Sequence, residues 1–414
     1  MIEWSEPHKM VRTAVQQFIQ AEIVPNLDEL EHGDTPPYDV LRKMIKTFGM
    51  DQMAKAQFEK MIEKEKAIAA GEAEEESSDG GAASMVGKGD EVAMTMIPMI
   101  ELSKYCPGMV TAMGVSMGLG GGAIMSKGTL EQKERWGLDV ITMKKVCSWA
   151  ITEPGSGSDA FGSMKSVARR TEDGGYILNG SKTFITNGPY ADVIIFICKL
   201  DEEGIAPRDR KILTFVLDTG MEGLTQSKPL RKMGIHSSPT GEVFLQDVKV
   251  GTDRLLGGSE DKQSRSGAKD TFTQERSGVC AMALGIVERC QELSIEYAKQ
   301  RVQFGRPISE FQLIQSKLAE MEVARVNLQN LVFRFVEMAE QGKQMTLSEA
   351  SASKLYSART AVQVASEALQ IHGGNGYMVE YRVEQMLRDA RILQIYGGTD
   401  EIQVNAIAKD ILSR

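Results

Sequence analysis

At 414 residues, the chain is too long for one small domain and long enough for two or three that share a core. Its hydrophobic fraction of 42% and charged fraction of 25% are those of an ordinary globular protein. The formal charge of −9 argues against a nucleic-acid partner, which needs a clustered basic face, but leaves room for a locally basic site for a phosphorylated ligand.

Residues 7 to 24 read as an amphipathic helix. Val11, Val15, Phe18, Ile19 and Ile23 recur at helical spacing, and Pro25 closes the pattern. Glu3, Glu6, His8 and Lys9 interrupt any early apolar run, so no signal peptide is read. A second helix is expected after Pro36-Pro37, and Met53 to Lys66 is charged and helix-prone. Residues 70 to 90 are acidic, small and poor in large apolar residues, which predicts a mobile loop or insertion, with a partner-binding segment as the alternative.

From Val92 to Lys127 the chain is rich in Met, Gly and Ala, as in closely packed helices. Gly114-Val115-Ser116-Met117-Gly118 matches the G-x-S-x-G elbow of hydrolases. That elbow requires a preceding buried strand, and the four histidines (His8, His32, His236, His372) offer Ser116 no obvious partner. No uninterrupted apolar run reaches about 18 residues, so a membrane span is not expected. Cys106, Cys147, Cys198, Cys280 and Cys290 form no C-x-x-C pair and read as buried thiols of a protein in a reducing cytoplasm.

The period then changes. Val146 to Thr152, Tyr176 to Leu178, Val193 to Leu200, Ile212 to Leu217 and Glu242 to Val250 are short β-branched or alternating runs separated by turn clusters. From about Asp270 the helical period returns. Val279, Met282, Ile286, Val287, Cys290, Leu293 and Tyr297 form one apolar stripe. Further helices are expected from Phe311 to Gln341, from Thr346 to Gln370, and before Arg388. The expected fold class is α+β: an N-terminal α-helical domain (1–143), a middle β domain (144–255) and a C-terminal four-helix bundle (256–414).

Four blocks stand out. Trp149 to Asp159 (WAITEPGSGSD) leads a strand into a Gly/Ser loop able to offer backbone N–H groups to an anionic ligand. Ser181 to Gly188 (SKTFITNG) places an aromatic beside a strand-end threonine. Arg301 to Ile308 (RVQFGRPI), followed by Gln312, puts guanidinium groups at a helix end, and guanidinium suits phosphate. Gln370 to Tyr377 (QIHGGNGY) runs on to Arg388-Asp389-Ala390-Arg391 and then to Tyr396-Gly397-Gly398-Thr399-Asp400-Glu401.

In this order the blocks, which span residues 149 to 403, closely resemble the acyl-CoA dehydrogenase family. The resemblance implies FAD as cofactor. It assigns Ile151, Thr152, Phe184 and Thr186 to the flavin ring, with Phe184 standing where many members have Trp, and Gly157 and Ser158 to the flavin and thioester region. Arg301, Phe304 and Gln312 would reach the cofactor of a neighbouring subunit, Gln370, Gly373 and Gly374 its nucleotide end, and Thr399 and Glu401 later cofactor contacts. Tyr396 and Gly397 would meet the substrate, and the glycine-rich stretch around Gly118 to Ala123 an acyl tail.

One departure decides the chemistry. Many members carry a glutamate after the tyrosine, and this chain has Gly397, which has no side chain to accept a proton. The long-chain and isovaleryl types resemble the arrangement found here, with a glutamate before Arg on the helix after the β domain. Glu275 matches that position, and the Gly397 N–H would donate to the thioester oxygen. The resemblance further implies an acyl-CoA substrate, an electron-transferring flavoprotein as acceptor, a homotetramer and no metal. An oxygen-using acyl-CoA oxidase and an inactive flavin-binding homologue are the rival readings.

Overall fold

The computed structural model describes residues 3–72, 89–263 and 265–414, with the backbone alone over 265–275. Residues 73–88, most of the acidic segment, lie outside the described residues.

The N-terminal part contains α1 (Glu6–Phe18), α2 (Leu27–His32), α3 (Tyr38–Thr47), α4 (Met50–Ala69), α5 (Gly89–Ser103) and α6 (Pro107–Lys127). Ser5 caps α1 by accepting the His8 N–H, with Pro7 in the first turn. Pro25 does not simply end the chain's helical course: Ile19–Ile23 widens into a π turn and Val24–Asn26 tightens into a 3₁₀ turn before α2. In α6, residues Gly114–Gly121 are also π-helical, and Ser116 is fully buried, accepting the Cys147 N–H at 2.9 Å. A mid-helix serine used in this way is not a nucleophile elbow. By length and composition alone α6 is apolar enough to cross a membrane, because serine, threonine and one terminal lysine are its only strongly polar residues. More than half of its apolar stretch, 56%, is buried inside the protein, as in the core helix of a globular domain.

The middle part is one seven-stranded sheet: β1 (Cys147–Ala150), β2 (Val167–Arg170), β3 (Tyr176–Thr186), β4 (Val193–Leu200), β5 (Ile212–Asp218), β6 (Leu224–Gln226) and β7 (Thr240–Val250). Strand β4 pairs in parallel with β1 and antiparallel with β5. All eight of its residues are buried, with Ile194, Phe196 and Cys198 in one core and Val193, Ile195 and Ile197 in another. Cover on both faces explains why β4 reads as an unbroken apolar run. Strands β2 and β6 were not anticipated. They are short, and β2 carries two exposed arginines.

The C-terminal part contains α7 (Arg265–Gln300), α8 (Gln312–Glu340), α9 (Leu347–His372), α10 (Val383–Arg391) and α11 (Asp400–Leu412). Two corrections follow: Arg388 lies inside α10 rather than after it, and α11 adds a helix the sequence reading lacked. Thr346 and Glu349 form a reciprocal capping box at the start of α9. The N-terminal helices and this bundle share one apolar core, in which α5 and α7 lie so close that a Cβ on Gly285 would sit 2.2 Å from the Ile100 carbonyl oxygen. All five cysteines are free and buried, and burial pushes the Cys198, Cys280 and Cys290 thiols up to about 12.

Candidate active site

The first group of site residues is assembled at the ends of β1 and β3. The Thr183 N–H donates to the Thr152 carbonyl at 2.9 Å. The Lys182 ammonium, fully buried, donates to the Ile151 carbonyl at 3.0 Å and to Glu153 at 2.9 Å. Glu153 also accepts the N–H groups of Lys165 and Ser166. Burial alone would raise the Glu153 carboxyl, but the Lys182 charge and these hydrogen bonds overcome it and hold the group below its ordinary value. The Ile151–Glu153 backbone is therefore pinned to β3.

Two residues further on, the β3–β7 register slips between Lys182 and Ile185. Phe184 sits in this bulge at φ +56°, with 68% of its surface exposed. A bulky residue in the left-handed region is an outlier, and here the bulge turns its ring out of the sheet. Thr186 ends β3. Next to it, the Asn187 amide donates to the Ala112 and Cys147 carbonyls at 2.9 Å each and accepts the Tyr38 hydroxyl at 3.0 Å. One asparagine thus ties the strand end to α3, α6 and β1. Gly157 and Ser158 are exposed in the loop beyond, where a Cβ on Gly155 or Gly157 would meet nothing within 4 Å.

The second group is the turn between α10 and α11. Gly397 and Gly398 have φ of +61° and +89°, and the Thr399 hydroxyl caps α11 by accepting the Ile402 N–H. The Tyr396 hydroxyl donates to the Met282 sulfur at 3.2 Å, which seats the turn on α7. The Gln403 side-chain amide donates to the Gly397 and Gly398 carbonyls, and the Lys354 ammonium donates to the Gly398 carbonyl. Glu401 is exposed. The Glu275 side chain lies outside the described residues. Its backbone belongs to α7, two turns before Met282.

The first two groups are joined through the loop between β6 and β7. Thr240 pairs with Thr186, and upstream of it the Ile235 N–H donates to Asp389 of α10. Burial pushes the Asp389 carboxyl up to about 7. His236 contacts Glu31 of α2, whose hydrogen bond raises the imidazole to about 9.

The third group lies at the far end of α7. Arg301 opens a small hairpin (β8, Val302–Gln303; β9, Arg306–Pro307) whose turn residues Phe304 and Gly305 have φ of +51° and +78°. Phe304 is 93% exposed, and Gln312 follows at the start of α8. One turn before Arg301, Tyr297 stacks on His372 at 4.3 Å and accepts a hydrogen bond from Asn375. This brings the exposed Gln370, Gly373 and Gly374 beside the hairpin. The structure does not bring this group to Tyr396: from Met282 to Arg301 the helix advances about 28 Å.

Lys182, Asn187, Lys354 and Gln403 were not singled out from the sequence. For Lys354 a signal existed: Ala350, Ser353, Lys354, Ser357 and Ala361 share the buried face of α9, where a lysine is out of place.

Residues 266–412, 148–248 and 80–144 match the family models described as acyl-CoA dehydrogenase C-terminal, middle and N-terminal domains. The 3-(aryl)acrylate reductase of Clostridium sporogenes is 35% identical over 99% of both chains. The caffeyl-CoA reductase–Etf complex subunit CarC of Acetobacterium woodii is 33% identical over 99% of this chain and 100% of its own. The solved butyryl-CoA dehydrogenase of Megasphaera elsdenii superposes with a TM-score of 0.84 at 32% identity, covering 100% of both chains.

Proposed function

The chain belongs to the acyl-CoA dehydrogenase family, and from that premise we propose that it oxidises the α,β bond of an acyl-CoA thioester with Glu275 as the base. The observation that carries this reading is the seating of Tyr396 on Met282. Seven residues of helix return to nearly the same face, so Glu275 and Met282 occupy one side of α7, about 10 Å apart along its axis.

FAD is the family's cofactor, and the residues present fit it. Phe184 turns an aromatic face outward, and Gly157, Gly373 and Gly374 leave backbone open to close approach. The buried Trp149 indole N–H, at the end of β1, has no hydrogen-bond partner among the described residues. Ile151, Thr152, Phe184 and Thr186 would hold the ring, Gly157 and Ser158 its thioester side, and Thr399 and Glu401 a later part of the cofactor. When bound, FAD would supply the acceptor for the hydride that leaves the β-carbon.

The protein's own residues do the rest. Glu275 takes the α-proton, a step that requires a carboxylate close to the α-carbon and shielded from water. The Gly397 N–H donates to the thioester oxygen as negative charge develops there. Tyr396 stands beside the reacting carbons.

Arg301, Phe304, Gln312, Gln370, Gly373 and Gly374 gather around the end of α7 away from Met282, on which Tyr396 is seated. This supports a homotetramer in which they serve the diphosphate and nucleotide end of a neighbouring subunit's FAD. The relative that forms a complex with Etf supports an electron-transferring flavoprotein as partner. The cytoplasm is the compartment we infer.

The two reductase relatives favour a second reading, in which the same groups run in reverse and saturate an aryl-bearing enoyl thioester, with Glu275 then returning the proton. Anaerobic titration decides between them. Bleaching of the flavin band by saturated acyl-CoAs (short, long, branched or ring-bearing) supports oxidation. Recolouring of the reduced protein by an aryl-acryloyl-CoA alone supports reduction. A flavoprotein unchanged by any thioester overturns both.

A further inference from the structure

Two buried side chains without a role in the chemistry above converge on the turn after Tyr396. Lys354, in α9, is fully buried, and its Nζ donates to the Gly398 carbonyl at 2.8 Å. Gln403, in α11, is also fully buried, and its Nε2 donates to the Gly397 carbonyl at 3.1 Å and the Gly398 carbonyl at 2.8 Å. Burying an ammonium is costly, so its place against a backbone carbonyl is a strong constraint on that backbone.

The turn needs such a constraint. Gly397 and Gly398 both have left-handed φ, and glycine visits both hands of φ at little cost, so local sequence does not hold the conformation. Upstream, Tyr396 is fixed by its N–H to the Ile392 carbonyl at 3.0 Å and by its hydroxyl to Met282. Downstream, the next two peptide planes are fixed through their carbonyls by Lys354 and Gln403. The peptide carrying the Gly397 N–H is therefore held from both sides, and a positive charge stands one hydrogen bond from the turn. A donor aimed in advance stabilises the charge that develops in the transition state without reorganising at the moment of reaction.

We propose that Lys354 and Gln403 are positioning residues that aim the Gly397 N–H at the thioester oxygen. The proposal rests on the reading of Gly397 as that donor. The test uses the FAD-loaded holoenzyme with cinnamoyl-CoA as probe, because the absorption of a conjugated thioester moves to longer wavelength as its carbonyl is polarised, with no proton transfer needed. The wild type should red-shift the probe. Lys354→Met and Gln403→Leu should lose most of the shift, and kcat should fall on the order of ten- to a hundred-fold with KM within about threefold. The two variants remove independent hydrogen bonds to one turn, so either soluble variant alone is decisive. A shift and kcat kept in the variants overturn the positioning role and leave the Gly397 donor standing. Lowered thermal stability with an unchanged shift assigns a structural role and also overturns it. A wild type that binds the probe without any shift overturns the donor reading itself. Glu275→Gln should keep the shift while losing turnover, which separates aiming from proton abstraction.

Discussion

Two turns in this protein use the same backbone device to opposite ends. At Gly397-Gly398 and at Phe304-Gly305, two successive residues take left-handed φ. The first turn sits under the bundle with both its carbonyls taken by buried side chains. The second stands at a hairpin tip, where one of the two is a phenylalanine with its ring 93% exposed. A non-glycine residue in this region costs of order 1–3 kcal/mol, and glycine avoids that cost. Left-handed φ at a bulky residue occurs at the outward-facing Phe304 and Phe184 and also at the buried Met143 and Ile235, while the half-buried glycine turn avoids that strain and is clamped. The chain clamps the first of these halves with its own side chains and leaves the second open, its hairpin tip exposed.

The comparison breaks most completely at the base. Glu275→Gln should leave FAD bound and slow anaerobic bleaching by about 10²–10⁴-fold, so a variant that bleaches at the wild-type rate removes the chemistry from this end of α7. The pinned backbone at Ile151–Glu153 comes next. Lys182→Met leaves Glu153 buried without its charge partner and should cost about 3–5 kcal/mol in urea unfolding. Lys182→Met with Glu153→Gln should recover much of that loss, and a double-variant loss equal to the sum of the two single-variant losses would show that the pair is not coupled. Because the folded Glu153 carboxyl lies below its ordinary 4.5, its contribution is complete above that pH and fades as pH falls through the lower folded value.

The open half is probed at Arg301. Arg301→Leu should weaken FAD retention roughly ten- to a hundred-fold, the worth of a charge-assisted hydrogen bond, and leave the bleaching rate of loaded enzyme unchanged. Unchanged retention would take the hairpin out of the site. The smallest effect is expected at His236. The Glu31 hydrogen bond raises this imidazole, so its contribution to stability is complete below pH 6.5 and is lost as pH rises through about 9. The urea midpoint should drop across that window in the wild type and stay flatter in His236→Gln. Equal slopes would show that the His236–Glu31 contact does not help hold the β6–β7 loop in place.

Most of the architecture was legible because its signals are local. The stripe from Val279 to Tyr297 marks α7, and the apolar run Val193 to Leu200 coincides with β4. The misses have equally local causes. Strand β2 is four residues long with two exposed arginines, too brief for a period of two to show. Helix α11 did carry a start signal, Thr399 followed by Asp400 and Glu401, but those residues were read as a cofactor motif rather than as a cap. Lys354 stands out as a lysine on a buried face, but its role was out of sight because it acts on a carbonyl 44 residues away, and no window along the chain contains both.

By itself the amino-acid sequence determined the order of helical, sheet and helical parts, the family, and the residue types of the four blocks, all of which follow from periodicity and motifs within short stretches. Only the tertiary structure decided which of those residues meet. It joined Thr152 to Thr183, laid Tyr396 on Met282, and left Arg301 about 28 Å further along the same helix. Those outcomes depend on how closely and at what register packed elements approach, as where the missing side chain of Gly285 admits the Ile100 carbonyl. Such distances arise from long-range contacts and have no trace in local pattern.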